Sequence, residues 1–281
     1  MNGRHMFATF ATALLLISAS AQAQADTTTA TAAPPAPAEP GPLALRTGAG
    51  FNAGDVNGTS LLRADVSLGV SYDCTRWLTL YADLHFGTTR FGYHGSLDDG
   101  LTVNAQLWSY FDMSVSTGAA LHALRSGPFS LDVYGEFESS IVNTAPHLDT
   151  LRITTPQGTY DVGPYAAANS TPSLTWYRLA LGTTLRVRWG FAEPRLTIAF
   201  EDIHGSMDLH LNDDSRDTLT RLGYDPNAIE RPHEVSFFRV ALMPGVDFHI
   251  GSRDTLGITG IIAPASDATT YGATAMVTHH F

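Results

Sequence analysis

Apolar and polar residues alternate strictly along several separate stretches of this 281-residue chain. In the clearest stretch, residues 60–73, the apolar row is Leu62, Ala64, Val66, Leu68, Val70 and Tyr72, and the other row includes Arg63, Asp65 and Asp73. Because successive side chains of a β-strand point to opposite faces, this stretch predicts a strand with one apolar face and one polar face. The polar row is too charged for the core of a β-sandwich, and it suits the polar interior of a barrel.

The same alternation recurs to the end of the chain, and no long apolar segment follows the first 25 residues. A chain patterned in this way can cross a bilayer only as a closed barrel, since every backbone polar group must then be paired between strands. We therefore predict an all-β fold, a single antiparallel up-and-down transmembrane barrel of about ten strands with long external loops, over residues 43–281. The predicted strands are 43–53, 60–73, 77–91, 111–124, 129–142, 174–189, 195–211, 233–250, 254–263 and 269–281.

The connections between these strands form a second pattern. Those after the even-numbered strands are short, at 73–76, 125–128, 190–194 and 251–254. Those after the first four odd-numbered strands are mostly longer, at 54–59, 92–110, 143–173 and 212–232, whereas the last, 264–268, is short. Outer-membrane barrels pair short periplasmic turns with longer external loops. The alternation changes phase near Gly205, which predicts either a bulge or the point at which the strand leaves the membrane. We also expect a short helical turn within residues 217–229.

Both ends of the chain agree with export to a membrane. Residues 1–25 combine a weakly basic start, a short apolar run and Ala-x-Ala sites, which predicts a secretory signal peptide. Residues 26–42 are rich in Thr, Ala and Pro and predict an extended linker. The final alternating strand resembles the C-terminal assembly signal of bacterial outer-membrane barrels. Its apolar row is Tyr271, Ala273, Ala275, Val277 and Phe281.

The mature chain as a whole resembles the small bacterial outer-membrane β-barrel proteins. The resemblance implies an outer-membrane location, the lipid bilayer and the barrel-assembly machinery as partners, and an envelope protein or surface partner as a further one. The net charge of −11 argues against binding of nucleic acid, and no nucleotide-, phosphate- or hydrolase-type motif predicts a cofactor or a catalytic site. The leading interpretation is a non-enzymatic surface protein, in adhesion, envelope integrity or an envelope assembly. A narrow diffusion channel and a soluble barrel with a ligand cavity are alternatives.

The inward rows predict an ion network in the lumen. Its expected members are Arg63, Asp65, Asp83, Asp132, Glu136, Arg178, Arg186, Arg188 and Arg239, with further acids at Asp112, Glu138, Glu201 and Asp247. Counting from the strand ends predicts that Asp132 lies close to Arg186 and that Asp65 lies close to His85. A ten-stranded barrel is only slightly wider than one that side chains fill, so we expect a packed network rather than an open pore.

One tripeptide raises an enzymatic alternative. Asp208-Leu209-His210 is similar to the Asp-x-His pair of the omptin family of outer-membrane proteases, which is also ten-stranded and places a second Asp pair across the barrel mouth. Asp98 and Asp99 are the available second pair, but they are adjacent rather than separated by one residue. The resemblance implies a protease in which Asp208 orients His210. The same stretch, with its two histidines and several carboxylates, is also a candidate divalent-cation site.

Overall fold

The computed structural model describes residues 41–56, 59–97, 101–143, 147–156, 158–161, 170–221, 225–230, 233–265 and 268–281. The twelve strands within these ranges are β1 (Leu43–Val56), β2 (Thr59–Thr75), β3 (Leu78–Leu97), β4 (Leu101–Ser126), β5 (Phe129–Asn143), β6 (His147–Thr155), β7 (Gly158–Asp161), β8 (Ser170–Val187), β9 (Ala192–Leu211), β10 (His233–Ile250), β11 (Asp254–Ala265) and β12 (Ala268–His280). Two helices, α1 (Asp213–Arg221) and α2 (Pro226–Ile229), follow β9. None of the described helices is long and apolar enough to cross a membrane.

The described strands form a closed antiparallel barrel of ten strands, as the alternation predicts. Its ring runs β1, β2, β3, β4, β5, β8, β9, β10, β11 and β12, and β12 pairs with β1 to close it. At that seam Ala49 lies opposite both Val66 and Ala275. Closure leaves the ring without an unpaired edge, so its backbone donors and acceptors are satisfied between neighbouring strands.

Tight turns join the strand pairs at one end of the barrel, which we call the short-turn end. Gly127, Gly190 and Gly251 lie in three of these turns with φ values of 58°, 62° and 73°. Such left-handed backbone conformations strain any residue with a Cβ atom, so glycine is the residue that permits these turns. The predicted turn positions are therefore correct, and the opposite end carries the longer connections.

The outer surface of the barrel is apolar and the inside is polar. Large exposed apolar side chains occur on the outer face of every ring strand, among them Phe51, Leu68, Leu84, Leu121, Phe137, Leu181, Phe200, Phe238, Ile258 and Tyr271. Asp132 and Glu201, by contrast, are each only 3% exposed. This inside-out distribution is that of a membrane-spanning barrel, because a continuous exposed apolar surface of this extent is unfavourable in water and favourable in lipid.

Aromatic side chains mark both edges of the apolar surface. At the short-turn end, Trp77, Trp189 and Phe281 are exposed by 45%, 78% and 56%. Toward the other end, the stacked pair Phe200 and Phe238 lies with ring centroids 6.1 Å apart. Two such girdles are where a bilayer meets water on either side of a barrel.

The residues expected to form the second long loop are mostly strand. Residues 92–110 were expected to connect two strands, but β3 and β4 continue as a paired hairpin up to Leu97 and Leu101. Residues 143–173, expected to be a loop, contain β6 and β7, and β6 pairs with the far half of β4. We call residues 89–97, 101–109, 147–155 and 158–161 the outer sheet. Weak alternation in this part of the sequence concealed it, because lipid burial does not impose a pattern there.

Two further expectations about β9 and the connection after it need correction. The ladders from β9 to β8 and β10 continue through Gly205 without a register shift, so the change of phase there does not mark a bulge. The expected single helical turn is instead α1 and α2. Asn212 Oδ1 accepts a hydrogen bond from the backbone N–H of Ser215 near the start of α1, at 2.9 Å, and Arg216 pairs with Glu230.

Candidate functional site

The lumen contains an ion cluster centred on Arg178. The Arg178 guanidinium donates to Glu138 Oε2 at 2.9 Å, to Glu201 Oε1 at 2.7 Å and to Glu136. Arg239 Nε donates to the second oxygen of Glu201 at 2.5 Å. Because β5, β8, β9 and β10 are neighbours in the ring, these inward positions converge at one level of the barrel. We call this group, with Arg63 and Asp65, the Arg178 cluster.

Arg63 joins the Arg178 cluster from β2, across the lumen. Its Nη1 lies 3.2 Å from Glu138 Oε1, and its Nη2 lies 3.3 Å from Asp65 Oδ2 and donates to Ser114 Oγ at 3.0 Å. Ser114 in turn donates to Glu138 Oε1 at 2.8 Å. Glu138 therefore accepts from two guanidinium groups and one hydroxyl, which compensates for the cost of its burial.

A second ion cluster lies nearer the short-turn end. Arg186 pairs with Asp132, whose other oxygen lies 2.8 Å from His122 Nδ1. Arg195 Nε lies 3.0 Å from the carboxylate of Asp247, and Arg195 Nη2 donates to Thr259 Oγ1 at 2.6 Å. We call these residues the Arg186 cluster. Between the two levels, the Tyr81 hydroxyl donates to Glu136 Oε2 at 3.0 Å.

The structure brings together most of the residues that the inward rows predict. Arg63, Asp65, Asp83, Asp132, Glu136, Arg178, Arg186 and Arg239 take part in lumen ion pairs, and Asp132 contacts Arg186 as expected. Arg188 does not belong to this set: β8 ends at Val187, and Arg188 lies exposed beyond it. Asp65 and His85 are close neighbours on the diagonal, as expected, because Asp65 lies opposite Gly87 and His85 is the next inward residue of β3. The hydrogen-bond partner of His85 is Ser116, whose Oγ lies 3.2 Å from His85 Nε2.

Sequence reasoning missed two lumen arginines. Arg46 lies 3.3 Å from Asp83 and 4.8 Å above the ring of Tyr81. Arg195 anchors Asp247, as described above. Both lie near strand ends, and each stands an even number of residues from polar or small inward residues further along its strand. That even spacing was the signal that would have found them.

The lumen is not filled, although we expected side chains to fill it. A cavity of about 760 Å³ runs along it, between the ion clusters and the opposite wall. That wall, formed by β1, β11 and β12, presents small residues: Gly48, Gly50, Gly54, Gly257, Thr259, Thr270 and Thr274. Because most of the long inward side chains come from the other strands, the ion clusters occupy one side of the barrel and leave the other side more open. At about 30 Å³ each, roughly 25 water molecules would fit this volume.

The geometry of β9 removes the support for an omptin-like site. Ile203 and Gly205 line the cavity, and the strand continues past Gly205 in unbroken register. Asp208 and His210 are an even number of residues from the lipid-facing Phe200, so they lie on the same outer face of β9, away from the lumen. Asp98 and Asp99 lie outside the described residues. Within the described parts of the chain, no three His, Cys, Asp or Glu side chains converge as metal ligands.

The last strand places its two rows as the alternation predicts. Tyr271 is 58% exposed on the outer face, in the row of Ala273, Ala275 and Val277, while Thr274 and Met276 line the cavity. The His279 ring lies edge-on to Phe281 at 5.1 Å, and His279 Nδ1 lies 2.7 Å from Asp254 Oδ1.

Comparison with known proteins supports the fold and does not identify a family. No family model matches the chain, and no curated protein sequence is significantly similar to it. Among solved structures, the outer membrane protease OmpT from Escherichia coli is similar with a TM-score of 0.51 and 8% identity, over 85% of this chain and 95% of that chain. The translocator domain of the autotransporter NalP from Neisseria meningitidis matches with a TM-score of 0.44 and 10% identity, over 85% and 89%. The fold is that of the bacterial outer-membrane β-barrels, and the predicted resemblance to that class, with its omptin component, is confirmed at the level of the fold.

Proposed function

We propose that this chain is an integral outer-membrane barrel that acts without catalysis at the cell surface, where its outer sheet recognises a partner. The short-turn end faces the periplasm, residues 1–25 are removed as a signal peptide, and residues 26–42 form an extended periplasmic linker. The barrel-assembly machinery inserts the protein and uses the outward row of β12 with Phe281. The extension of β3 and β4 beyond the ring, with β6 and β7 added to it, carries the proposal.

The outer sheet offers a surface that the barrel itself does not need. Tyr110, at the base of this surface, is 67% exposed, stacks on Trp108 at 5.6 Å and lies 6.2 Å from the ring of His147. Arg90 lies over the Trp108 ring at 5.6 Å and donates to Gln106 Oε1 at 2.5 Å. Exposed aromatic and arginine side chains held in one row are typical of recognition surfaces.

The test is to remove the added strands and measure recognition separately from folding. Replacing residues 144–169 with a short Gly/Ser linker removes β6 and β7 but keeps the ring pairing of β5 with β8. We expect this variant to insert normally and to lose the adherence of expressing bacteria to host-cell monolayers. A matched variant in which a linker replaces residues 212–230 should keep it. Equal adherence with and without β6 and β7 would refute the recognition role.

The cavity favours a second candidate function, a narrow conduit. The described lumen residues include more carboxylates than guanidinium groups, since Asp112 and Glu193 add to the clusters above. If the cavity conducts, it should therefore prefer cations. Planar-bilayer recordings should then show small cation-selective steps that Thr274→Phe, which faces the cavity, abolishes and Ala273→Phe, which faces lipid, does not. A wild-type barrel without discrete steps excludes the conduit.

A further inference from the structure

The lumen changes from polar to apolar above the Arg178 cluster, on the side away from the short-turn end. Seven inward side chains at this level are apolar, and all of them line the cavity: Leu61, Phe91, Leu107, Leu174, Trp176, Ile203 and Ile261. We call them the apolar collar. They come from β2, β3, β4, β8, β9 and β11, so they surround the cavity rather than cover one wall.

The collar has no role in the membrane-facing surface. Inward side chains do not touch lipid, and at the lower levels of the same strands the inward positions carry Arg63, Asp83, Ser116 and Glu201. Apolar side chains that face a hydrated cavity lose the stabilisation that burial would give them. An apolar body seated inside the collar would recover that free energy.

The floor of the collar offers polar atoms but no free charge. Arg63 lies with its guanidinium 4.9 Å from the Trp176 ring, and its charge is matched by Glu138 and Asp65. Arg178 is likewise matched by the carboxylates of its cluster. A ligand here therefore need not carry a charge, and a charged one would have to disrupt ion pairs that are already formed.

Two polar atoms at this floor, Asn52 Oδ1 and Arg63 Nε, are fully buried and have no hydrogen-bond partner among the described residues. Asn52 and Arg63 are register partners on β1 and β2, and Asn52 Oδ1 lies against Gly272 on β12. Because neither atom is accessible from the cavity, neither offers a hydrogen bond to a molecule inside it. The collar therefore selects for apolar surface and for the absence of charge.

We infer that the apolar collar and its floor form a binding site for a small uncharged molecule with an aromatic body. That body lies among the collar side chains. The size fits, because cavities of 300–1,000 Å³ lined mainly by apolar groups with a few polar atoms are typical of small-molecule sites. Two collar residues, Phe91 and Leu107, belong to the outer sheet, but their side chains face the lumen and not the face that carries Trp108 and Tyr110.

The glycines provide a matched pair of variants for the test. A Cβ atom at Gly205, which lines the cavity beside the collar, would meet only Thr175 O at 3.7 Å and Trp176 Cβ at 3.9 Å, so a side chain fits there and projects into the site. Gly135 lies on the outer face of β5 and has nothing within 4 Å. Gly205→Phe should therefore fill the site, while Gly135→Phe adds the same side chain on the lipid-facing side.

The experiment is to titrate 4-bromobenzyl alcohol, whose bromine quenches tryptophan on contact, into the full-length barrel in lipid nanodiscs. The other three tryptophans are replaced by Phe so that Trp176 is the only fluorophore. We expect saturable quenching, an apparent affinity at least tenfold weaker in Gly205→Phe, and an affinity within twofold of the parent in Gly135→Phe. 4-Bromobenzoate, which carries a negative charge, should bind at least tenfold more weakly because the arginines at the floor are already paired, and this comparison needs no change to the protein.

A barrel that keeps only Trp77, on the outer face at the short-turn end, reports partition of the probe into lipid. Quenching of Trp176 that is unsaturable and matches that of Trp77 would overturn the site. Equal affinity of the two probes would overturn the preference for an uncharged molecule, and unchanged affinity in a folded Gly205→Phe barrel would overturn the location.

Discussion

Arg178 shows how single residues hold the inside of this barrel together. It binds three carboxylates from two neighbouring strands, so its loss leaves Glu136, Glu138 and Glu201 with less compensation in a confined lumen. We expect Arg178→Met to lower the free energy of unfolding in lipid vesicles by about 3 kcal/mol, the typical cost of removing one partner from a buried ion pair. Urea titration followed by tryptophan fluorescence measures it.

Arg152 is the matched control for Arg178. Its ion pair with Asp161 in the outer sheet spans 3.8 Å, and the two side chains are 60% and 50% exposed. Arg152→Met should change the free energy of unfolding by no more than about 0.5 kcal/mol, because exposed pairs contribute little. Equal effects of the two substitutions would show that the lumen network does not stabilise the barrel.

The alternation of inward and outward positions along each strand was enough to place Arg178, Glu138 and Asp132 inside the barrel. It could not place their partners, because the pair formed depends on the register and shear of the closed ring. Asp65 and His85 show this: they are diagonal neighbours rather than direct register partners, because the register of β2 with β3 places Gly87 opposite Asp65. The apolar collar was not predicted for a different reason. Sequence analysis assigns polar residues to the lumen and apolar residues to lipid, and the collar residues are apolar but face the lumen.

At the level of elements, the short turns are the parts that the sequence specifies most directly. Gly127 has a φ of 58°, so Gly127→Ala should cost about 1 kcal/mol from strain in the left-handed region. Gly135→Ala, in a strand with open space around it, should be neutral or slightly stabilising. Unfolding titrations of the two variants measure the difference. A Gly127→Ala barrel as stable as the parent would contradict the turn geometry.

Ten strands were predictable because lipid on one side and a polar lumen on the other impose an alternation on each of them. The outer sheet was not, because β6, β7 and the far ends of β3 and β4 face no lipid and carry no such alternation. Asp208 and His210 were misleading for a different reason. The face of β9 on which they lie depends on whether the register shifts at Gly205, and only the pairing of β9 with its neighbours shows that it does not.

At the scale of the whole molecule, the only cysteine reports the orientation of the barrel. Cys74 is exposed at the short-turn end, which the proposal places in the periplasm. A membrane-impermeant maleimide should label Cys74 only after the outer membrane is permeabilised. A Cys74→Ser, Thr154→Cys variant, with its thiol on the outer sheet, should be labelled in intact cells. The reverse pattern would invert the topology.

The central claim is that the apolar outer surface faces lipid around a closed ring. Outer-membrane fractionation, followed by gel mobility of unboiled and boiled samples, tests it most directly. A closed barrel resists detergent until it is heated, so we predict recovery in the outer membrane and a band whose mobility changes on boiling. Recovery in the soluble periplasm, with the same mobility before and after boiling, would contradict the account.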